Sequence, residues 1–391
     1  MSNWEWKKLG DVCEVIAGQS PQSSAYNSDG VGLEFHQGKK AFGKRIIQPS
    51  NVWTKEYSKI AKKGDILMSV RAPVGPVNFT DREICIGRGL AAIRNTSALD
   101  ENFLFYYFIN NESKMTSKVG AVFDSINRSD IQNFVIPVPP LAEQKRIVKT
   151  LDEKFLKIDK LKTNAETNLK NAKALYQKSL DKIIEDECRR YTLTSLKEIT
   201  TKIGSGATPK GGKKSYQTEG ISLIRSMNVL YGSFSYDNLA HINEKQAKAL
   251  DGVAIQCADV LFNITGASIA RCCVVPDDVI PARVNQHVSI LRPIQKVLNS
   301  DYLSVVLLAS QNQKKLLDIG EAGATRQALT KGDLEVFPIP LPPLSVQKEI
   351  VARLDKLSEN VKRLEANYRQ IIANCDELKK TILKQTFQGG D

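Results

Sequence analysis

Amide, guanidinium and ammonium side chains recur in the turns of this sequence, in both of its halves. The amides of Asn and Gln and the fork of Arg can hydrogen-bond to base edges in the major groove of DNA. Lys, Ser, Thr and the backbone amides of Gly-rich turns can hold phosphates. The candidates in the first half are Gln37, Lys39, Lys40, Arg71 and Arg88. The candidates in the second half are Thr208, Lys210, Lys213, Lys214, Arg225, Ser226, Asn263, Arg283, Asn285, Gln286, His287 and Arg326. Each of them alone is typical of a solvated surface, but as a set in both halves they favour contact with double-stranded DNA.

Patterns for catalysis or metal binding are weak. Residues 38–44, GKKAFGK, have the spacing of a phosphate-binding loop, but Arg45 follows where Ser or Thr should hold Mg²⁺. The seven Cys lack CxxC spacing, and the three His lack the spacing of metal ligands. His287 is expected to be structural rather than catalytic. We therefore predict no catalytic residue and no metal site in this chain.

The length and charge of the chain indicate what kind of protein carries these residues. The 391 residues exceed one ordinary domain, and 42% of them are hydrophobic, which is enough to bury a core. The net charge of +12 is spread along the chain rather than collected in a tail, and it mildly favours a polyanionic partner. No apolar run approaches the roughly 20 residues that span a bilayer, and the N-terminus lacks an apolar signal core. The expectation is a soluble, cytoplasmic protein without a membrane partner.

The chain contains an internal repeat. Shifted by 203 positions, residues 120–152 align with residues 323–355 without a gap, and 15 of the 33 pairs are identical. Weaker similarities also link LGDVCEVIAGQSP from Leu9 with LKEITTKIGSGATP from Leu196. Two copies are too few for a solenoid, so the repeat predicts a pseudo-symmetric molecule with two equivalent halves.

A long helix is predicted after each Pro-Pro-Leu segment, because Pro marks the boundary and no Gly or Pro interrupts the following residues. Apolar residues then recur at steps of three and four, as in the seam of a coiled coil. At about 1.5 Å per residue, each helix would be on the order of 60–65 Å long. The helix-pair interface is predicted to contain Leu151, Phe155, Ile158, Leu161, Leu169, Leu354, Val361, Leu364, Ile371 and Leu378. The alternative is that each helix packs only on its own domain.

The regions between the helices hold most of the Gly and nearly all of the aromatic residues. Short β-rich runs such as GDILMSV, ADVLFNI and HVSILRP, separated by turn residues, predict compact α+β domains with twisted, partly antiparallel sheets. The predicted organisation is a globular domain at 1–138, a long helix at 139–190, a second globular domain at 191–340 and a second long helix at 341–391.

These segments resemble the specificity (S) subunits of type I restriction–modification systems, over essentially the whole chain. The most specific of them are the paired IPVPPLAEQKRIVKTLD and IPLPPLSVQKEIVARLD, together with LIRSMNV, NITGAS and RVNQHVSILRP. The resemblance implies two α/β target-recognition domains joined by two antiparallel helices that act as a spacer. Each domain would read one half of a bipartite DNA site in a host-defence system based on DNA methylation.

The resemblance also implies how the work is divided among subunits. Two modification subunits would dock on this chain, and restriction subunits could join them. S-adenosylmethionine would be held by the modification subunit and ATP by the restriction subunit, so this chain would be non-catalytic and bind neither cofactor. The sequence NQH at 285–287 has no clear counterpart in the first half, which has GRG at 87–89.

Three alternatives remain open from the sequence. The chain could be the recognition subunit of a type IIB-like system, in which one partner both cuts and methylates. It could instead be a coiled-coil scaffold that does not bind DNA, or a stand-alone enzyme. A footprint of two separated patches on DNA would dismiss the scaffold, and methyl transfer by the purified chain alone would revive the enzyme.

Overall fold

The structure is a computed structural model that describes residues 4–57, 59–115, 117–118, 121–122, 125–321 and 327–388. The chain forms two compact units, of which the first comprises Met1–Glu166 with Gln370–Asp391 and the second comprises Thr167–Arg369. Each unit therefore contains one globular region and a part of each long helix. The domain boundaries predicted at 138, 190 and 340 stay predictions.

The first unit consists of short strands and helices around the first long helix. Its strands are β1 (Glu5–Lys8), β2 (Cys13–Ala17), β3 (Tyr26–Asn27), β4 (Leu33–His36), β5 (Trp53–Thr54), β6 (Ile60–Ala61), β7 (Ile66–Ser69), β8 (Val77–Phe79), β9 (Ile84–Ile86), β10 (Leu90–Asn95), β11 (Ser117–Lys118), β12 (Ala121–Val122) and β13 (Val135–Val138). Its helices are α1 (Leu9–Val12), α2 (Glu101–Asn110), α3 (Glu112–Met115), α4 (Arg128–Gln132) and α5 (Leu141–Arg190), which continues into the second unit.

Two sheets form the globular part of the first unit. The strand order β2-β10-β7-β8 makes an antiparallel four-stranded sheet, and β3-β5-β4-β9-β6 makes a five-stranded sheet in which β4 and β9 run parallel. The apolar faces of the first sheet and of α2 meet the start of α5 and the end of the C-terminal helix in one core. Because β9 leads directly to β10, the turn between them connects the two sheets.

The second unit is built in the same way. Its strands are β14 (Leu193–Ser195), β15 (Thr200–Ser205), β16 (Ile221–Ile224), β17 (Ala240–Ile242), β18 (Val260–Asn263), β19 (Cys272–Val274), β20 (Ala282–Val284), β21 (Val288–Pro293) and β22 (Pro338–Pro340). Its helices are α6 (Leu196–Ile199), α7 (Glu244–Ala249), α8 (Ser300–Leu308), α9 (Ser310–Glu321), α10 (Lys331–Glu335) and α11 (Leu344–Gln388), which ends in the first unit.

The two units share the topology of their four-stranded sheets and the parallel pair of the second sheet, which has five strands in the first unit and three, in the order β17-β16-β20, in the second. The order β15-β21-β18-β19 repeats β2-β10-β7-β8, and the parallel pair β16/β20 repeats β4/β9. In each unit a buried Asp at the start of the central strand binds an Arg of the neighbouring strand: Asp65 with Arg94 and Asp259 with Arg292. The predicted α+β class, the partly antiparallel sheets and the internal repeat are confirmed.

A buried glutamine explains why the Pro-Pro-Leu segments are so similar. The Gln144 side chain is fully buried at the start of α5, where Nε2 donates to the carbonyls of Ala98 (3.0 Å) and Pro139 (2.8 Å). Its Oε1 accepts from the backbone N–H of Asp100 (2.7 Å). Gln347 makes the matching three bonds at the start of α11. The repeated Gln therefore fixes each long helix to its own globular region.

Replacing either glutamine by alanine is expected to lower the free energy of unfolding by about 2–4 kcal/mol, because buried backbone donors and acceptors lose their partners. Chemical denaturation of Gln144→Ala and Gln347→Ala measures this loss. Lys145→Ala, one residue away and exposed, is the matched control and should change stability by no more than about 0.5 kcal/mol. Equal free energies of unfolding for Gln144→Ala and this control would show that Gln144 does not fix α5 to its globular region.

The long helices pair through a seam that repeats every seven residues. In α5 the buried positions are Leu151, Ile158, Ala165 and Ala172; in α11 they include Leu354, Val361 and Cys375, with Tyr368 half-buried. In the first unit Lys162 of α5 binds Asp376 of α11 (2.6 Å), and Asp159 binds Lys379 (2.7 Å). These partners run in opposite directions along the two helices, so the helices are antiparallel within this unit.

The residues predicted for the seam differ in burial. Leu151, Ile158, Leu354 and Val361 are buried, and Phe155, Leu169 and Ile371 are half-buried. Leu161, Leu364 and Leu378 are exposed, so their assignment to the seam is corrected. The seam position belongs to the next residue in each case: Lys162, Glu365 and Lys379 are more buried than the leucines.

Long polar side chains can replace leucine in the seam because their stems cover apolar surface while the charges are paired. The Lys379 ammonium lies 5.2 Å from the centre of the Phe155 ring and binds Asp159. Burial alone would raise the pKa of Asp159, but the hydrogen bonds from Lys379 and Lys44 outweigh it and lower the pKa. A charged residue at a seam position fixes the register of the pair.

Candidate nucleic-acid interface

The turn between the two sheets carries candidate base contacts in both units, and backbone hydrogen bonds show which residues correspond. The matching bonds are Gly87 N to His36 O (2.8 Å) with Asn285 N to Ile224 O (3.0 Å), and Val70 N to Gly89 O (3.0 Å) with Ile264 N to His287 O (3.0 Å). The equivalent residues are therefore Gln37 with Arg225, Arg88 with Gln286, and Gly89 with His287. NQH thus has a structural counterpart in GRG, which corrects the sequence comparison. We call 37 and 225 position A, and 88 and 286 position B.

A hydroxyl residue stands beside this turn in each unit. The strand register pairs Ala17 with Ala91 and Ser205 with Ser289, which makes Ser20 and Thr208, each three residues further on, equivalent. The preceding loop also approaches the turn closely: a Cβ on Gly18 would lie 2.2 Å from the Gly87 carbonyl oxygen. The turn therefore has little freedom to move away from the hydroxyl.

In the first unit, Ser20 links the Gln37 side chain to the backbone of Arg88. The Ser20 hydroxyl donates to Oε1 of Gln37 (2.7 Å) and accepts from the backbone N–H of Arg88 (3.2 Å). Gln37 and Arg88 are both exposed. The structure thus brings together two predicted contacts that are 51 positions apart in the sequence, with their polar ends available to a ligand.

A buried polar cluster supports this turn from below. Glu34 of β4 accepts from both Arg82 (2.7 Å) and the backbone N–H of Ser50 (3.0 Å), and it contacts Nε2 of His36 (3.2 Å). Burial alone would raise the pKa of Glu34, but these hydrogen bonds outweigh it and lower the pKa. Burial lowers the pKa of His36, against the opposing effect of Glu34. The cluster holds the end of β4, from which Gln37 projects.

The remaining candidates of the first unit surround the same turn. Lys39 and Lys40 lie in a one-turn 3-10 helix, and Lys40 is exposed beside a surface cavity of about 640 Å³. Gln37 also lines that cavity, as do Tyr26 and Phe42. Arg71 is exposed just after β7, where its backbone pairs with Ser125. Its unit-2 equivalent is Thr265, because both residues directly follow the equivalent Val70 and Ile264.

In the second unit the turn is tied together by a chain of side-chain contacts. The Thr208 hydroxyl donates to Oε1 of Gln286 (2.6 Å), and Nε2 of Gln286 contacts Nε2 of His287 (2.9 Å). The other ring nitrogen of His287 contacts the Thr265 hydroxyl (2.6 Å). Gln286 is exposed and His287 half-buried. His287 therefore orients its neighbour rather than standing alone.

Three predicted contacts of the second unit bind other groups of the domain itself. Asn263 is fully buried, and its Nδ2 donates to the Ser226 and Val229 carbonyls (2.9 and 3.3 Å). Asn285 is buried and accepts from the backbone N–H of His287. Arg283 binds Asp251 (2.6 Å) and the carbonyl of Ala247.

Direct contact of Asn263 and Asn285 with DNA is therefore corrected to a supporting role, because their amides already hold the loops. Arg225 is half-buried: its guanidinium lies 5.4 Å from the centre of the Tyr216 ring and donates to the Asn238 carbonyl. Its plane is fixed by the domain before any ligand arrives.

The remaining candidates of the second unit are three lysines, Ser226 and Arg326. Lys210 and Lys214 are exposed in the Gly-rich loop, whereas the side chain of Lys213 and the whole of Arg326 lie outside the described residues. Ser226 lines a cavity of about 440 Å³ together with Thr265, His287 and Arg271. Sequence reasoning missed Arg271, although it follows NITGAS closely in the sequence.

Arg271 lies beside an aromatic ring at this cavity. Its guanidinium lies 5.3 Å from the centre of the Tyr231 ring, and its buried Nε finds no hydrogen-bond partner among the described residues. Across the same described ranges, no group of three or more His, Cys, Asp and Glu side chains could hold a metal ion. None of the helices described there is long and apolar enough to cross a membrane.

Comparison with known proteins identifies a family. A family model described as the type I restriction modification DNA specificity domain matches residues 1–171 and 189–373. A protein of Methanocaldococcus jannaschii, provisionally named type I restriction enzyme MjaX specificity subunit, is 46% identical over 154 residues, which are 38% of this chain and 36% of that protein. The EcoBI specificity subunit of Escherichia coli is 25% identical over 66% of this chain and 59% of its own length. The chain thus spans less than two thirds of these two relatives.

Other relatives match over nearly their whole length. The MjaVIII specificity subunit of Methanocaldococcus jannaschii is 21% identical over 99% of this chain and 92% of its own. The crystal structure of the HsdS subunit from Thermoanaerobacter tengcongensis has a TM-score of 0.62 at 20% identity, over 99% of this chain and 97% of that one. A chain from a structure concerning complex assembly and conformational transition of the type I R-M system reaches a TM-score of 0.73 at 21% identity, over 99% and 98%. These two structures share the fold.

Proposed function

The chain belongs to the family of type I restriction–modification DNA specificity domains, and from that premise we propose that it is the DNA sequence-recognition subunit of a type I complex. The observation that carries the proposal is the pair of equivalent turns. The two units share the topology of their four-stranded sheets and the backbone hydrogen bonds of the turn, yet they present different side chains at positions A and B. Equal scaffolds with unequal reading residues suit a bipartite DNA site whose halves differ in sequence.

Each part of the chain then has its own task. Each globular region reads one half-site from the major groove, and the lysines nearby hold phosphates. The two long helices set the distance between the half-sites and carry the modification subunits, to which restriction subunits add. Catalysis, S-adenosylmethionine and ATP belong to these partners in the proposed complex, which acts on DNA in the cytoplasm.

Two alternatives are weighed by different observations. Recognition within a type IIB-like system would use the same two turns, and the genes next to this one distinguish it. A coiled-coil scaffold that does not bind DNA would not account for the exposed Gln37, Arg88 and Gln286 beside lysines at the same turn. We therefore favour recognition of DNA within a type I complex.

Methylation mapping tests this function. The chain would be expressed in cells together with the modification subunit encoded beside it, and methylated adenines would be mapped across the genome. One split motif, with both halves required, is the expected result. Methylation at a continuous motif, or none above that of cells expressing the modification subunit alone, would refute the proposal.

Exposed leucines support two docking sites for modification subunits. Leu161 and Leu378 are 52% and 47% exposed in the first unit, at the level where Lys162 binds Asp376. The shift of 203 positions relates them to Leu364 and Leu175 of the second unit, which are 38% and 44% exposed. Each unit thus exposes the same leucine pair, which fits two copies of one partner.

Changing Leu161 and Leu378 together to lysine is expected to reduce the bound modification subunits from two to one. Burying each leucine contributes about 2 kcal/mol, so the altered unit should bind its partner at least 100-fold more weakly. The mass of the purified complex measures the stoichiometry. Leu156→Lys is the control, because Leu156 is 72% exposed but its repeat equivalent is Glu359. A double variant that still binds two subunits would rule out this surface.

A further inference from the structure

Positions A and B hold one glutamine and one arginine in each unit, but in opposite order. In the first unit Gln37 follows β4 and Arg88 follows β9. In the second unit Arg225 follows β16 and Gln286 follows β20. Because the equivalence rests on matching backbone hydrogen bonds, the exchange is a property of the structure and does not depend on how the sequences are aligned.

The equivalent hydroxyl follows the glutamine to whichever position it occupies. Ser20 donates to Oε1 of Gln37 at position A, and Thr208 donates to Oε1 of Gln286 at position B. This bond fixes the plane of the amide, while Oε1 keeps a second lone pair. Nε2 of Gln286 also contacts Nε2 of His287 (2.9 Å), but an amide nitrogen carries two hydrogens, so one donor remains. In both units the glutamine is therefore held ready to form a pair of hydrogen bonds.

The arginines offer the complementary group. Arg88 is exposed. The guanidinium of Arg225 lies 5.4 Å from the centre of the Tyr216 ring, and its Nη2 already donates to the Asn238 carbonyl, which leaves Nη1 and the second hydrogen of Nη2 for a ligand. A planar fork held in this way can donate two parallel hydrogen bonds. Gln paired with adenine and Arg paired with guanine O6 and N7 are the geometric matches in the major groove.

On the premise of the proposed function, we propose that positions A and B are the specificity-determining pair of each unit. The glutamine reads an A·T pair and the arginine reads a G·C pair. The opposite order of the two residues makes the two units read these base pairs in opposite order, so that one scaffold yields two different half-sites.

The reciprocal exchange Gln37→Arg with Arg88→Gln tests this pair in the full complex. It gives the first unit the order of the second, and Ser20 is placed to hold the new glutamine as Thr208 holds Gln286. Methylation mapping should show the A·T and G·C pairs of one half-site exchanged, with the other half-site and the gap unchanged. The original site should be methylated about 10- to 100-fold more slowly than the new one.

Controls separate this proposal from the proposed function. Lys63→Ala removes an exposed cation of the same unit, away from the turn, and should leave the motif unchanged. An unchanged motif in the exchange variant, or a change in both half-sites, overturns the proposal. If the exchange variant methylates no site, Gln37→Ala and Arg88→Ala decide: each should lose discrimination at one base pair, and a loss that is equal for all sequences overturns it. A wild-type complex without any split motif refutes the proposed function instead.

Discussion

Inserting seven residues into each long helix is expected to lengthen the gap between the recognised half-sites by about three base pairs, since seven residues add about 10 Å and one base pair rises about 3.4 Å. The insertions belong after Glu166 in α5 and after Arg369 in α11, where the chain passes between the compact units. Seven is the period of the seam, seen at Leu151, Ile158 and Ala165. The longer helices can therefore keep the same residues facing each other.

Methylation mapping of this variant gives the new gap directly. Three base pairs also rotate the second half-site by about 100°, at about 10.5 base pairs per turn, so we expect slower methylation than in the wild type. Seven residues inserted into α5 alone form the control: they lengthen one of the two long helices between the compact units and not the other, so the helices no longer match in length, and methylation should be abolished at every gap. An unchanged gap with both insertions would show that the helices do not set the spacing.

Much of the architecture was predictable because it depends on local patterns. The Pro-Pro-Leu segments mark where α5 and α11 begin, and the short apolar runs became β7, β18 and β21. The seam was predicted less well. Steps of three and four fit both Leu161 and Lys162, and hydrophobicity favoured the leucine. Lys162 and Lys379 occupy the seam because they form ion pairs with Asp376 and Asp159 of the opposite helix. The sequence of one helix does not show these partners.

The candidate site was predictable in composition but not in arrangement. The residues after strands were rich in Arg, Gln and Lys, and Gln37, Arg88 and Gln286 are exposed where two sheets meet. Whether an amide faces solvent depends on tertiary contacts, so the fully buried Asn263 looked the same as an exposed candidate. The correspondence of GRG with NQH was also invisible, because it is defined by backbone pairing rather than by residue identity.

Replacing residues 191–340 with the corresponding region of a relative is expected to change one half-site completely and to leave the other half-site and the gap as they are. Positions A and B of the first unit, together with Ser20, all lie outside the replaced region. The core of the second unit joins the globular region to the long helices through Leu180, Ile184 and Leu354. A donor domain therefore needs matching apolar residues opposite these three side chains.

A chimera that methylates no site could fail because the new domain does not pack on the long helices. Gln347 lies outside the exchanged region but binds the carbonyl of Val297 and the backbone N–H of Asn299 within it, through backbone groups that any donor supplies. The docking of the new domain thus depends chiefly on its fit to Leu180, Ile184 and Leu354. A second chimera, in which the donor keeps this chain's own residues facing those three side chains, controls for that fit. A change in both half-sites in either chimera would contradict independent reading by the two units, because the residues that read the first half-site are identical in all of these proteins.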